Sequence, residues 1–467
     1  MLRARQNTAL LTIAALAGGL ALRVWMLRYH MLIAGDALVY GDIAKSLVLH
    51  HTFGFTDPAG VRPTLIRMPG YPMFLAVCFK LFGIDRYAPA LYVQGAADLV
   101  TCMLIARTAQ MICHGSRRVG LVALWMAALC PFTANYVAVP LTETLSLFFT
   151  ALVFYGMTQW REKVVIGMPA MNLPLLLIGS GMAGAVLLRP DRALLAVVVI
   201  PAMLWIAWEE RSPFEESRGT VAAVMLCCAM VVAPLAPWAV RNWRVFHVVQ
   251  PLAPRTASDP GEFVPRGFAR WYRTVGVDFA STQDVYWRFD GDVLDLDEVP
   301  ARAFDNASQR EKTEKLFDDY NVDKLASPAI DARFAELADE RVRGHRLRYY
   351  VALPLARVAN MWLRPRTEFL PVPIEWWKRE NGWKVRGFAL GYAGLNLVFL
   401  AMGMAGLMRA LRSEQRTVVV AMMLLVLLRC ALLLTVDNSE PRYTLDCYSI
   451  VLVLGACVFA RREESWD

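Results

Sequence analysis

TALLTIAALAGGLALRVWML, residues 8–27, is the stretch whose reading decides the fold. It is apolar along its whole length, and crossing the hydrocarbon core of a bilayer as a helix takes about 20 such residues. Similar runs recur at 88–106, 119–138, 140–159, 172–188, 192–208, 219–240, 386–408, 417–436 and 444–460, of which 172–188 and 444–460 are near the short limit. The chain is 57% hydrophobic over 467 residues, and charged residues concentrate between the apolar runs. The expectation is an all-α polytopic membrane protein with about ten transmembrane helices. Residues 1–27 read as a retained first span rather than a cleaved signal peptide, because no clean cleavage site is evident and more spans follow.

The net charge is +8, yet no basic run has the look of a nucleic-acid patch. The cations mark orientation instead. With Arg3 and Arg5 in the cytoplasm, the cytoplasmic connections hold Arg117, Arg118, Arg161, Lys163, Arg409, Arg412 and Arg416, as the positive-inside rule requires. Residues 71–83 and 347–363 are apolar but charged or interrupted, and counting either as a span would put those cations outside. Both therefore read as helices on the outer membrane surface or as re-entrant pieces. This puts both termini in the cytoplasm. None of the nine cysteines falls in 242–385, and no disulfide framework is present in the exposed part. A multi-pass protein of a bacterial inner membrane fits that usage.

Three regions follow: an N-terminal transmembrane core, 1–241, with a first outer loop at 28–87; an outer helical region, 242–385; and C-terminal transmembrane helices, 386–467. The outer region is too long for a plain connection. Residues 301–320 and 328–343 have helical apolar spacing and charge pairing, so a small helical outer domain is expected. There is no internal repeat and no inverted pair of broken helices, which argues against a secondary transporter.

Ionisable residues gather at the outer ends of several spans. GDALVYGDIAKS, 35–46, follows the first span. Val39, Ile43 and Leu47 recur at helical spacing, which makes a short helix lying on the membrane with one oily face. Asp36 stands just before it, either as a helix N-cap or as a chemical group. Asp42 belongs on the solvated face. Arg67 precedes a proline-stiffened turn, RMPGYP, and is placed to hold a phosphate bidentately or to anchor a headgroup. Glu143 opens a span and favours the helix dipole. Arg189 and Asp191 form a tight corner; Arg241, Asn242 and Arg244 end a span; Glu440 and Arg442 open the last one. Helices set side by side would bring such groups to one depth, as a site for an anionic lipid-linked substrate needs. Asp98 and Arg429 lie deeper, where an ionisable group is either functional or part of an interhelical salt bridge. Trp271, Tyr272, Tyr286, Trp287, Trp376 and Trp377 suit stacking on sugar faces or an interfacial belt.

Taken in order, Asp36-x-x-x-Tyr40, Ile43-Ala44-x-x-Leu47, Gly54-Phe55, Arg67-x-Pro-Gly-Tyr-Pro, Leu141-Thr-Glu143, Leu188-Arg-Pro190, Pro237-Trp-x-x-Arg241-Asn242 and Pro441-Arg-Tyr443 resemble the GT-C glycosyltransferases. Within these the chain is similar to the glycosyltransferase 39 group, which includes protein O-mannosyltransferases and lipid A aminoarabinose transferases. The resemblance implies transfer of a sugar from a polyprenyl-phosphate donor to an acceptor on the outer face. The acceptor is a protein, a lipid or a glycan. The resemblance also implies that Asp36 is the catalytic acidic residue, that Arg67 contacts the donor phosphate and that Glu143 borders the site. Arg241 and Arg442 are further candidates for the phosphate, with Tyr40, Lys45, Arg189, Asn242 and Tyr443 in support. The chain departs from the group in having Ala37, Leu38 and Val39, where many members place a second charged residue after the first-loop Asp.

The chemistry suits this residue set. A polyprenyl phosphate is already a good leaving group, so no general acid is needed on that side. One carboxylate takes the acceptor's proton and cations hold the departing charge. Direct displacement inverts the anomeric centre. No dense carboxylate cluster suggests a metal, and no cofactor is expected. The competing readings are a lipid-linked substrate transporter or flippase and a non-catalytic member of the same fold.

Overall fold

In a computed structural model, residues 2–166, 168, 171–209, 214–378 and 382–461 are described. They are mostly helical, with one two-stranded hairpin. Among the described residues, six helices are long and apolar enough to cross a membrane: Gln6–Tyr29, Tyr87–Ile112, Pro190–Glu209, Val221–Phe246, Trp383–Ala410 and Arg416–Leu433.

That count corrects the expected ten, and the reasons are local. The run 119–138 is split by Pro131 into α5 (Arg117–Ala128) and α6 (Pro131–Tyr136). Proline has no amide to donate and starts a helix more readily than it continues one. The run 140–159 becomes α7 (Glu143–Val165), which is long enough but intersperses its apolar residues with Glu143, Thr144, Ser146, Thr150 and Thr158, all buried. α8 (Leu173–Leu188) has 16 residues, about 24 Å of helix against a hydrocarbon core of about 30 Å. The last run breaks into α19 (Arg442–Leu445) and α20 (Tyr448–Ala456), followed by a 3-10 turn.

The chain divides into two compact units. The first comprises Met1–Pro260, Val398–Val426 and Leu445–Asp467. It starts with α1 (Leu2–Tyr29) and α2 (Asp36–His50), then the hairpin β1 (Gly54–Asp57) and β2 (Gly60–Pro63), which the sequence reading did not anticipate. Next come α3 (Gly70–Phe82) and α4 (Tyr87–Ile112), then α5 to α8. It continues with α9 (Ala193–Glu209), α10 (Phe214–Val232) and α11 (Leu235–Phe246). α7 packs between α4 and α8, α4 also packs on α5, and α2 packs along α3. The pair Arg23–Asp98 is buried among α1, α4 and α5. Arg23 Nε lies 2.7 Å from Asp98 Oδ2, and the same guanidinium donates to the carbonyls of Gly19 and Ala128 at 3.0 and 2.7 Å. Asp98 is thus an interhelical salt-bridge partner.

The second unit comprises Gly261–Leu397 and Leu427–Thr444. Its helices are α12 (Arg266–Arg273), the single turn α13 (Phe279–Ser281), α14 (Ala307–Asp323), α15 (Pro328–Gly344) and α16 (Leu353–Leu363). Parts of α17 (Trp383–Ala410) and α18 (Arg416–Leu433) complete it. α14 begins six residues later than the expected 301, because Asn306 caps it by accepting from the Gln309 amide at 2.9 Å. Ser327 does the same for α15 through the Ile330 amide at 3.3 Å. Phe268, Trp271, Tyr272 and Val275 line one face of this region's core with Phe317, Tyr320 and Phe334. Trp271 and Tyr272 are therefore core residues, and Tyr286 packs against the same cluster, which removes all three from sugar stacking. Trp287 and Trp377 remain exposed. Arg429 donates through Nε to the Tyr443 carbonyl at 2.9 Å, so it and Asp98 have different partners.

Candidate active site

Asp36 is the first residue of α2, not its cap; the capping position belongs to Gly35, whose φ of 57° suits glycine. An acid in the first helical turn still meets the positive end of the dipole. Its carboxylate is held from outside the helix, by Arg67: Nη2 to Oδ1 is 2.7 Å. The oily stripe of α2 is spent on protein. Ile43 is buried with Phe53, Leu65 and Trp238, and Val39 and Leu47 pack against them. Asp42, expected on a solvated face, accepts from the Thr56 amide at 2.9 Å and from the Thr56 hydroxyl, tying α2 to β1.

The segment that carries Arg67 is pinned on both sides. Before it, Arg241 donates Nη1 to the Thr64 carbonyl at 2.7 Å and Nη2 to the Phe53 carbonyl at 2.6 Å. Asp259 accepts the Leu65 amide at 2.7 Å. After it, α3 begins at Gly70 directly against the end of α8: a Cβ at Gly70 would stand 2.6 Å from the Leu187 carbonyl oxygen. Two residues beyond Leu187 the chain reaches Arg189, so this close approach brings the α2–α3 side chains to the head of α7.

There Glu143 is 1% exposed and accepts from Arg189 Nη1 at 3.0 Å. Arg189 Nε also reaches Asp191 Oδ1 at 3.1 Å, and Asp191 in turn meets Arg192 at 3.3 Å. Arg192 closes the chain of charges on Asp446, in the first unit. Beside the first of these ion pairs, Asp36–Arg67, lies Tyr40. Its ring sits 5.8 Å from the Arg67 guanidinium carbon and edge-on to Tyr71 at 5.1 Å. Burial pushes the Tyr40 phenol up to about 12. Arg67 and Arg189 pull against that shift, and Asp36 and Glu143 add to it. One phenol therefore feels all four charges, and it keeps its proton at neutral pH. Tyr71 donates to Gln94 at 2.9 Å, and Gln94 donates to the Val139 carbonyl at 3.0 Å, fixing the turn before Glu143.

Asp36, Tyr40, Arg67, Glu143 and Arg189 thus form one cluster. The other expected residues do different work. Arg241 spends its donors on loop carbonyls and on Asn242 Oδ1 at 3.0 Å, and it is caged by Phe53, Trp238 and Phe246. It positions the Arg67 segment. Asn242 is fully buried and donates to the Gln250 carbonyl at 2.7 Å. Lys45 makes an exposed pair with Asp85 at 3.0 Å. Arg442 and Tyr443 belong to the second unit, where both bond Glu440. Asp259 was missed, as were the partners Arg23, Arg192 and Asp446, since single charges beside ordinary polar loops or inside apolar runs carry no pattern.

Among the described residues, no group of three or more His, Cys, Asp and Glu side chains stands together as a metal cage would. Compared with known proteins, the chain matches no family model and no curated relative.

Proposed function

We propose that the protein is an integral-membrane glycosyltransferase that moves a sugar from a polyprenyl phosphate to an acceptor at the outer face of a bacterial inner membrane. The observation that carries this reading is the pair of ion pairs, Asp36–Arg67 and Glu143–Arg189, both acting on the buried phenol of Tyr40. The site consists of a half-buried carboxylate and guanidinium side by side, and a second pair whose carboxylate, Glu143, is fully buried and fixes the wall. It needs only residues of the first unit.

In this reading Asp36 takes the proton of the acceptor hydroxyl as that oxygen attacks the anomeric carbon. The bond from the anomeric carbon to the phosphate oxygen breaks with its electrons, and the negative charge formed is held by Arg67. Attack from the side opposite the leaving group inverts the anomeric centre. The resting Asp36–Arg67 bond serves both ends of this exchange. It holds Asp36 in place, and when a phosphate draws on the guanidinium, the carboxylate is released to act as a base. Tyr40, kept protonated, is a neutral donor next to the same charges. The acceptor is a protein, a lipid or a glycan.

The test is the Asp36→Asn protein, purified and supplied with sugar-loaded polyprenyl phosphate. Loss of a general base predicts kcat lower by about 100-fold or more with donor KM near that of the wild type. Transfer at the wild-type rate overturns the assignment.

A further inference from the structure

A cleft lies toward the other end of α4, the helix whose Gln94 supports the candidate active site. It measures about 490 Å³ and opens among the start of α1, the end of α4 and the start of α5. That size falls within the usual range of ligand pockets, roughly 300–1,000 Å³. Gln94, which supports the candidate active site, is 16 residues from Gln110 in this cleft, so the two are separated by about 24 Å along α4. Between them lies the Arg23–Asp98 bridge. The cleft therefore opens toward the opposite leaflet.

Its lining is graded. The floor is apolar and buried at Ala106, Gly120 and Leu124, and Ile13 and Met103 expose apolar surface beside it. At its rim stand Arg107 and Arg117, and no acidic residue among the described ones lines it. Arg107 Nη1 reaches only Gln110 Oε1, at 3.2 Å, and Gln110 is itself tied to the Gly115 carbonyl at 3.0 Å. Arg117 has no ion-pair partner among the described residues and sits in the first turn of α5, where the helix dipole adds positive potential. Apolar surface leading to two cations is the profile of a lipid with a negatively charged head. Basic pockets between helices on the cytoplasmic side recognise such head groups.

We infer that this cleft binds an anionic phospholipid of the inner leaflet, its phosphate between Arg107 and Arg117 and its acyl chain along Ile13 and Met103. The inference is independent of sugar transfer, since it uses none of the residues of the candidate active site.

The experiment is native mass spectrometry of the full chain in detergent, titrated with phosphatidylglycerol and, separately, with phosphatidylcholine. The wild type is expected to retain phosphatidylglycerol at least about tenfold more strongly, the equivalent of one charged hydrogen bond. The R107A/R117A double variant is expected to lose that preference, and R107K/R117K to keep most of it. L121W, which fills the cleft while leaving both arginines, is expected to weaken retention of phosphatidylglycerol. Equal retention of the two lipids by the wild type overturns the inference, as does an unchanged preference in R107A/R117A. Complete displacement of the lipid by millimolar inorganic phosphate also overturns it, because it would reduce the site to an anion contact without an acyl component.

Discussion

Replacing Arg67 by Ala separates a phosphate-binding role from a structural one, because the structure assigns very different magnitudes to the two. Its bond to Asp36 joins side chains that are 21% and 28% exposed. A pair so placed contributes about 0.5–1 kcal/mol to stability. The Arg67→Ala protein should therefore unfold within a few degrees of the wild type. Donor binding is another matter. Nη2 serves Asp36 and Nη1 makes a long 3.4 Å contact with the Ile66 carbonyl, so the terminal nitrogens have N–H groups left for a phosphate oxygen. One hydrogen bond to a charged group is worth about 1.5–3 kcal/mol, or roughly 10- to 150-fold in Kd. Polyprenyl phosphate without a sugar is a sufficient probe, titrated into the purified chain and followed by native mass spectrometry, with thermal unfolding in parallel. Arg67→Lys, which keeps the charge and loses the planar fork, should fall between. Asp36→Asn should bind the same lipid as tightly as the wild type or more so, since it no longer competes for Nη2. If Arg67→Ala binds within about threefold of the wild type at unchanged Tm, Arg67 does not hold the phosphate. If Asp36→Asn weakens binding as much as Arg67→Ala does, the two act as a structural unit and the exchange mechanism fails.

Three further outcomes follow from packing and charge. Gly70→Ala places a Cβ 2.6 Å from a backbone oxygen of Leu187, which cannot yield as a side chain would. Overpacking of this kind costs about 1–3 kcal/mol, so the variant should melt lower in detergent and lose activity together; an unchanged melting point contradicts the α3–α8 contact. Asp98→Asn leaves the Arg23 guanidinium, 1% exposed, without its counter-charge. A loss of about 3–5 kcal/mol is expected, with R23M/D98L less damaging than Asp98→Asn alone, and the reverse order in thermal unfolding would refute the pairing. In the second unit, burial opposes ionisation of Asp278, but the Ser281 amide and the Arg302 guanidinium outweigh it and hold the carboxyl below its ordinary value of 3.8. A depressed folded value means that this stabilisation is complete above the unfolded value and is lost as pH falls through the folded one. Protection from hydrogen exchange in peptides from 266–344, corrected for intrinsic rates, should fall more steeply with acid below pH about 4 in the wild type than in Asp278→Asn; equal slopes would remove Asp278 from the account.

Helix positions were legible in the sequence wherever apolar content alone determined them. The six long apolar helices fall on segments the hydropathy pattern marks. The pattern failed where a single residue overruled it: Pro131 divides a run of adequate length, and Asn306 starts α14 later than its charge pattern suggests. Hydropathy also says an aromatic is buried without saying in what. Phe268, Trp271, Tyr272 and Val275 stand three and four apart, the stripe of a core-facing helix, and that spacing was a readable sign that Trp271 and Tyr272 face a protein interior.

Pairing was the part that could not be read. Asp36 and Arg67 are 31 residues apart, Glu143 and Arg189 are 46, and Arg23 and Asp98 are 75. Charges at such separations meet only because particular helices are neighbours, and neighbourhood is decided by small backbone contacts such as Gly70 on Leu187, which leave no trace in hydropathy or charge pattern. This is why the partners of Arg241 could not be read from the sequence. A guanidinium beside Trp238 and Asn242 at the end of an apolar helix looks equally suited to a phosphate and to loop carbonyls. What separates the two is whether its donors are already taken. Arg241 donates through both terminal nitrogens to Phe53, Thr64 and Asn242, whereas Arg67 bonds Asp36 through Nη2 and leaves Nη1 with a long contact to the Ile66 carbonyl. If a lipid phosphate binds at this end of the molecule, it exchanges with the Arg67–Asp36 bond. Arg241 then contributes by keeping residues 64 and 65 fixed, so Arg241→Lys should lower Tm and leave the discrimination between Arg67 variants intact.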